Sequence, residues 1–89
     1  MRSYLNQSFI DCFNNLPERI KTKARKNYRL WRANPNHRSL EFKRVGKTRE
    51  VYSVRVGIGW RALGLKENDS IVWFWIGSHA KYDQRVSKL

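Results

Sequence analysis

The hydrophobic residues in the first third of the chain recur at the spacing of α-helices. One group follows the i, i+3, i+4, i+7 pattern of a single helix face. It consists of Phe9, Cys12, Phe13 and Leu16. Pro17 suits the first turn of a second helix, in which a further apolar stripe is flanked by basic residues. This stripe consists of Ile20, Ala24, Tyr28 and Trp31. The pattern predicts a helical hairpin that packs on an apolar surface.

After the Asn-Pro-Asn turn at residues 34–36, the hydrophobic period changes from 3.6 to 2, which is typical of β-strands. Polar or glycine-containing turns separate four predicted strands at residues 40–45, 50–56, 60–66 and 71–77. The last strand is apolar at both parities, so we expect both of its faces to be covered. Residues 78–89 suit a short helix with Ser78 as N-cap. The chain therefore predicts one α+β domain over residues 1–89, with two N-terminal helices on a four-stranded antiparallel sheet and a short C-terminal helix.

The charge of the chain is strongly positive, with 19 Lys and Arg against 7 Asp and Glu and a net charge of +12. This favours a polyanionic partner, either nucleic acid or an acidic protein. Twelve basic residues and one acid, Glu41, lie between Arg19 and Arg49, and we expect this segment to form one positive face. The predicted contacts to nucleic-acid backbone are Lys21, Arg25, Arg29, Arg32, Lys43, Arg44 and Lys47.

Several classes of function receive no support from the sequence. The longest strongly apolar run, residues 71–77, is too short to span a bilayer and no signal peptide is recognised, so we expect a soluble, cytoplasmic protein with no membrane partner. Cys12 is the only cysteine, which excludes a disulfide framework. His37 and His79 belong to different elements and the acids are scattered, so neither a metal site nor a bound cofactor is predicted.

Metal-free cleavage of RNA requires a proton acceptor, a proton donor and cations near the phosphate. Histidine suits proton transfer near neutral pH, and arginine binds two phosphate oxygens at once. Strand parity places Arg55 and Arg61 on one surface of neighbouring strands, and His79 follows the last strand. Simpler interpretations also fit: solvated arginines, a histidine at a helix start bound to backbone, and a Tyr82 ring that packs on the sheet.

Several strings, in their order along the chain, resemble the RelE/ParE superfamily of bacterial toxin–antitoxin pairs. These are SFIDCFNNLPERIK, NPN, EVYSVRV, WRALGL and FWIGSHAKYD, and the last is typical of RelE-like or HigB-like members. The resemblance covers nearly the whole chain. It implies a small α+β fold and a ribosome-dependent, metal-independent mRNA endonuclease that inhibits translation.

By position, the resemblance also implies roles for individual residues. Arg61 matches a phosphate-stabilising arginine, and His79 lies where many members have a catalytic histidine or arginine. Tyr82 lies near an assisting aromatic residue. Arg55 and Ser53 occupy positions that are often basic, so Ser53 implies a less cationic site than in some relatives.

The alternatives remain open at the level of sequence. A ParE-like branch on the same fold inhibits DNA gyrase without hydrolysis, and a basic nucleic-acid-binding module would have neither activity. The presence of both Arg61 and His79 favours the nuclease. This inference rests on the two residues, because fold alone does not decide function. The resemblance further implies a cognate antitoxin, and the positive charge favours an acidic or amphipathic one.

Overall fold

The structure is a computed structural model that describes all residues from Met1 to Leu89. A five-stranded sheet has the strand order β1-β5-β4-β3-β2. All pairings are antiparallel except that of β1 with β5, which is parallel. The elements in chain order are β1 (Arg2–Leu5), α1 (Gln7–Asn14), α2 (Glu18–Ala33), a 3₁₀ helix (Arg38–Leu40), β2 (Lys43–Arg44), β3 (Val51–Gly57), β4 (Trp60–Glu67), β5 (Ser70–Ser78) and α3 (His79–Val86).

The helices begin at residues whose chemistry suits a helix start. The Asn6 side chain accepts a hydrogen bond from the Phe9 backbone N–H at 2.9 Å at the start of α1. Pro17 precedes α2 with a φ of −57°, a value that its ring already fixes. Ser78 caps α3, as predicted, by accepting from the Lys81 N–H at 3.4 Å. None of the helices combines the length and apolar composition needed to cross a membrane.

The two faces of the sheet are covered by different helices. On one face Val54, Val56 and Ala62 pack with Ile20 and Trp31 of α2 in the larger core cluster. On the other face, Tyr82 of α3 packs with three sheet residues, Val51, Leu63 and Trp75. This division fixes where a site can form, because α1 and α2 lie on one side and α3 on the other.

Trp73 and Trp75 lie in different core clusters although they are two residues apart. Regular alternation would place both on one face, but the register of β4 and β5 shifts between Leu63 and Gly64. Leu63 therefore pairs with Trp75 and Gly64 with Trp73. This irregularity buries one tryptophan on each face, and it explains the apolar character of β5 at both parities.

The predicted α+β class is confirmed, but the sheet differs from the prediction in two places. It has a fifth strand, β1, so it is mixed rather than purely antiparallel. A four-residue strand that pairs in parallel with a strand far along the chain has no hairpin turn to reveal it. The predicted strand at 40–45 is reduced to Lys43–Arg44, because the 3₁₀ helix and a left-handed Glu41, with φ 45°, precede it.

Candidate active site

Arg61 lies at the centre of a polar cluster beneath α3. It is only 5 % exposed, although a charged side chain is seldom buried without partners. Its Nε donates to Ser53 Oγ at 2.8 Å, and its Nη1 donates to Glu41 Oε1 at 2.8 Å. Its Nη2 donates to the Glu41 backbone carbonyl at 3.2 Å. Three groups of the same chain thus accept hydrogen bonds from the planar guanidinium, one from each of its nitrogens.

The backbone explains why these three residues meet. Arg61 pairs with Arg55 across β3 and β4, and Ser53 lies two residues before Arg55 in β3, on the same face. Ser53 is fully buried, and its small side chain leaves space for the guanidinium. The left-handed conformation of Glu41 turns the chain between the 3₁₀ helix and β2. Arg61 therefore also anchors this turn through the Glu41 carbonyl.

Glu41 is ionised at neutral pH. Its hydrogen bond with Arg61, and then the charge of that arginine, hold the pKa of the Glu41 carboxyl below its ordinary value of 4.5, while desolvation opposes them. The charges of Arg55 and Lys43 lower this pKa further. In the sequence, Glu41 stands out only as the single acid of a basic segment. That isolation was the available signal, because a lone acid among many cations usually has a cationic partner.

Tyr82 connects Arg61 to α3. Its ring is buried at 7 % exposure in the cluster on this face, so the interpretation that it packs on the sheet is correct. The Arg61 Cζ lies 5.2 Å from the ring centroid, which is within the range of a cation–π contact. The Tyr82 ring centroid also lies 5.4 Å from that of His79.

His79 is the first residue of α3 and presents its ring to solvent. Its backbone N–H donates to the Gly59 carbonyl at 2.8 Å, which ties the helix start to the β3–β4 turn. Its Nδ1 lies 3.3 Å from Asp83 Oδ2, and the side chain is 53 % exposed. The histidine is thus both bound to backbone, as the simpler interpretation held, and accessible to a ligand.

Two further basic residues lie on the same face as this cluster. Arg55, which is half-buried, is directly opposite Arg61, as strand parity predicted. Lys43 is exposed and pairs with Ser53, so its side chain points to this face as well. Arg55 and Lys43 therefore place accessible positive charge beside an arginine that is itself covered.

The basic segment does not form one positive face, contrary to the prediction. Arg25 lies over the Phe13 ring of α1, 5.2 Å from its centroid. Arg44 faces the same side as Tyr52, opposite to Lys43, and its Nε donates to the Gly46 carbonyl at 3.0 Å. The physical reason is that α2 covers the face remote from α3.

The other predicted contacts differ in their surroundings. Lys21 also lies over Phe13 and Arg32 over Tyr28, while Arg29 and Lys47 are exposed.

An apolar cavity of about 270 Å³ lies between α1, α2 and the sheet. Twelve of its 15 lining residues are hydrophobic, and Arg25 is among the others. Leu5 and Ile10, which also line it, are 47 % and 36 % exposed. Sequence reasoning missed this cavity, because the periodic stripes that predict a core do not show how completely it is filled. No three His, Cys, Asp or Glu side chains lie close enough together to hold a metal ion.

Solved toxin structures share this fold. RelE in the RelB–RelE complex from Methanococcus jannaschii matches with a TM-score of 0.73 and 13 % identity, over 92 % of this chain and 96 % of that one. YafQ from E. coli BL21(DE3) matches with a TM-score of 0.73 and 14 % identity, over 92 % and 98 %. Isolated E. coli RelE matches with a TM-score of 0.64 and 11 % identity, over 98 % and 96 %. At these identities the likeness shows the fold.

Membership of a family follows from the sequence comparison. The model of the ParE-like toxin domain matches residues 18–84, from the start of α2 into α3. This range includes the whole Arg61 cluster. No curated protein matches the chain by sequence. Because the family model spans well over half of the chain, the protein belongs to the ParE-like toxin domain family, within the RelE/ParE superfamily.

Proposed function

We propose that the protein is the toxin of a type II toxin–antitoxin system and that it cleaves mRNA on the ribosome, without a metal or cofactor, in the cytoplasm. The observation that carries this proposal is the exposed His79 ring on Tyr82, on the face where Arg55 and Lys43 present positive charge. This arrangement combines a group that transfers protons near neutral pH with cations that attract a phosphate. Inhibition of translation follows from loss of message.

The proposed reaction is an intramolecular transfer within the RNA. The 2′ oxygen loses its proton and attacks the adjacent phosphorus, while the bond from phosphorus to the 5′ oxygen breaks and that oxygen takes up a proton. The products are a 2′,3′-cyclic phosphate and a 5′ hydroxyl. His79 serves as general base or general acid, a role worth roughly 10² to 10⁴-fold in rate. Tyr82 assists by supporting the His79 ring, and Arg55 and Lys43 balance the charge on phosphorus.

The role proposed for Arg61 depends on Glu41. Three donors of the buried guanidinium are already bound, so a phosphate reaches it only after the Glu41 carboxylate turns away. The Glu41 side chain is 50 % exposed, so its carboxylate has solvent into which it can turn. We propose that a scissile phosphate replaces the Glu41 carboxylate as the anionic partner of Arg61. Until then, Arg61 stabilises the site by holding Tyr82.

A cognate antitoxin is the proposed protein partner. The RelE proteins from Methanococcus jannaschii and Pyrococcus horikoshii were solved in complex with RelB. In this chain, the cavity between α1, α2 and the sheet combines an apolar lining with two basic residues, Arg25 of α2 and Arg55 of β3. An antitoxin segment with apolar side chains on one face and acidic side chains on the other fits both features.

Nucleic-acid backbone is the other proposed ligand of the basic side chains. Lys43, Arg44 and Lys47 follow the sheet edge near the site, whereas Lys21, Arg25, Arg29 and Arg32 lie along α2. We propose that the residues of α2 contact RNA backbone away from the bond that is cleaved. An acidic antitoxin then competes with RNA for the same charges.

The test of the proposed function is primer extension on cellular mRNA shortly after induction of the protein, with His79→Ala as the inactive variant. His37→Ala is the matched control, because His37 is also exposed and its ring bonds only to Ser39. Discrete new 5′ ends within coding regions, absent in His79→Ala and retained in His37→Ala, are expected. Adding purified ribosomes to the protein and a defined message tests the ribosome requirement.

A second candidate function is inhibition of DNA gyrase without hydrolysis. It draws support from the burial of Arg61, which leaves the central arginine bound within the chain. Growth arrest with intact message and DNA damage would favour this alternative. A basic nucleic-acid-binding module would instead give salt-dependent binding with neither cleavage nor growth arrest.

A further inference from the structure

His79 and Asp83 lie one turn apart on α3, with Nδ1 of the histidine 3.3 Å from Oδ2 of the aspartate. Residues at i and i+4 face the same side of a helix, so the pair follows directly from the sequence spacing. Both side chains are more than half exposed, and they contribute little to the core. The pair therefore adds little to the stability of the fold, and its main consequence is a negative charge next to the histidine ring.

We infer that Asp83 is a positioning residue, which holds His79 with Nδ1 towards the carboxylate and leaves Nε2 free to exchange a proton with RNA. A neutral imidazole carries its proton on one nitrogen only, and an ionised carboxylate can only accept a hydrogen bond. The negative charge of Asp83 next to Nδ1 therefore favours the tautomer with its proton on Nδ1, which leaves a lone pair on Nε2. This inference rests on the proposed function.

Other contacts hold the His79 ring in the same orientation. The Tyr82 ring lies next to it at 5.4 Å between centroids, and Tyr82 is itself buried and in contact with Arg61. The backbone N–H of His79 is bound to Gly59. Asp83 is in contact with the ring of His79, and Arg61 is in contact with the ring of Tyr82. With its backbone bound, Tyr82 beside the ring and Asp83 next to Nδ1, the ring has Nε2 left for a substrate.

The second histidine of the chain provides an internal contrast. The His37 Nδ1 accepts a hydrogen bond from the Ser39 backbone N–H at 3.3 Å. A nitrogen that accepts cannot carry the proton of a neutral ring, so His37 has its proton on Nε2. The two histidines are expected to adopt opposite tautomers within one molecule.

The first test is a long-range ¹H–¹⁵N NMR correlation on the whole labelled protein, about one to two pH units above the ordinary histidine pKa. The expected result is a protonated Nδ1 for His79 and a protonated Nε2 for His37. In Asp83→Ala, His79 is expected to shift towards the Nε2-protonated form while His37 stays unchanged. Gln84→Ala, the neighbouring exposed position, is the matched control. A wild-type His79 with its proton on Nε2, or one unaffected by Asp83→Ala, would overturn the inference.

The second test is the rate of RNA cleavage in the presence of ribosomes. Asp83→Ala is expected to reduce kcat about two- to fivefold with little change in KM, the range that a solvent-exposed ion pair allows. Asp83→Glu should restore part of the rate. Asp83→Asn should not, because it removes the negative charge next to Nδ1 and its amide serves either tautomer. Equal rates in all four proteins would contradict a positioning role.

The two tests separate this inference from the proposed function. If wild type cleaves no RNA but shows the expected tautomers, the nuclease assignment fails and the orientation of His79 stands. If wild type cleaves RNA and His79 carries its proton on Nε2, the nuclease assignment stands and the role of Asp83 is wrong.

Discussion

Arg61 and Glu41 form an ion pair with very unequal exposure: the arginine side chain is 6 % exposed and the glutamate side chain 50 %, at 2.8 Å between Nη1 and Oε1. The two partners therefore differ in what they lose when the pair is broken. An exposed Glu41 can be solvated by water, whereas a buried Arg61 cannot. The stability of this site consequently depends on the arginine keeping an anionic partner.

The first prediction concerns pH. Arg61 depresses the pKa of Glu41 below its ordinary value of 4.5, so the folded state binds this proton less readily than the unfolded state does. The stabilisation by the pair is therefore fully present above about 4.5 and is lost as the pH falls through the lower folded-state pKa. Glu41→Gln should be less stable than wild type near neutral pH, and the difference should shrink as the solution is acidified. Urea denaturation at several pH values measures this difference in the free energy of unfolding.

Glu50→Gln is a suitable control for this experiment, because Glu50 is exposed and outside the cluster. Its free energy of unfolding relative to wild type should depend much less on pH. A Glu41→Gln difference that stays constant down to strongly acidic pH would show that the Arg61 contact does not depend on the charge of Glu41.

The second prediction concerns Arg61 itself. Arg61→Ala should lower the free energy of unfolding by about 2–4 kcal/mol, since it leaves the buried Ser53 hydroxyl without its partner and a space beneath Tyr82. Arg61→Lys should cost about 1–3 kcal/mol, because an ammonium cannot bond Ser53, the Glu41 carboxylate and the Glu41 backbone carbonyl as the planar fork does. Chemical denaturation measures both values.

This stability effect must be separated from any loss of toxicity. His79→Ala, at an exposed position, should change the free energy of unfolding by less than about 0.5 kcal/mol. If Arg61→Lys is as stable as wild type yet non-toxic, Arg61 acts on the substrate rather than through the fold.

The elements and contacts of this structure differ in how far the sequence predicts them. The strands with regular alternation, such as β3, and the capped helix at Ser78 are local patterns, and they were predicted correctly. β1 and the Arg61–Glu41 pair depend on contacts between distant segments, and no local period records such contacts. Arg55 and Arg61 were correctly placed on one face, because parity fixes direction. Their burial was not predictable, because it depends on α3 covering one of them.

The third prediction concerns Gly64, at the register shift between β4 and β5. A Cβ at this position would lie 2.7 Å from Cε3 of Trp73 and 2.8 Å from two side-chain carbons of Ile71. Both neighbours are buried in the core, so neither can move freely. Gly64→Ala should therefore lower the free energy of unfolding by about 1–3 kcal/mol.

Gly57→Ala is the matched control, because a Cβ there meets only the flexible Lys23 side chain at 3.4 Å. Its effect should be within about 0.5 kcal/mol. If both substitutions were equally mild, the packing around Trp73 would be looser than the structure shows.

The fourth prediction separates the two basic regions. Lys43 lies on the face of the Arg61 cluster, whereas Arg29 belongs to α2 on the other side of the sheet. Lys43→Ala should weaken the binding of a short RNA that occupies only the site, and should reduce the salt dependence of that binding by about 0.7 in the log–log slope, the value of one phosphate contact on a single strand. Arg29→Ala should leave the short RNA unaffected and weaken only a longer one. Fluorescence anisotropy with both RNAs, at several salt concentrations, gives the slopes.

Equal losses of affinity for the short RNA in Lys43→Ala and Arg29→Ala would contradict this prediction. The RNA backbone would then reach around the sheet, and the two regions would act as one binding surface.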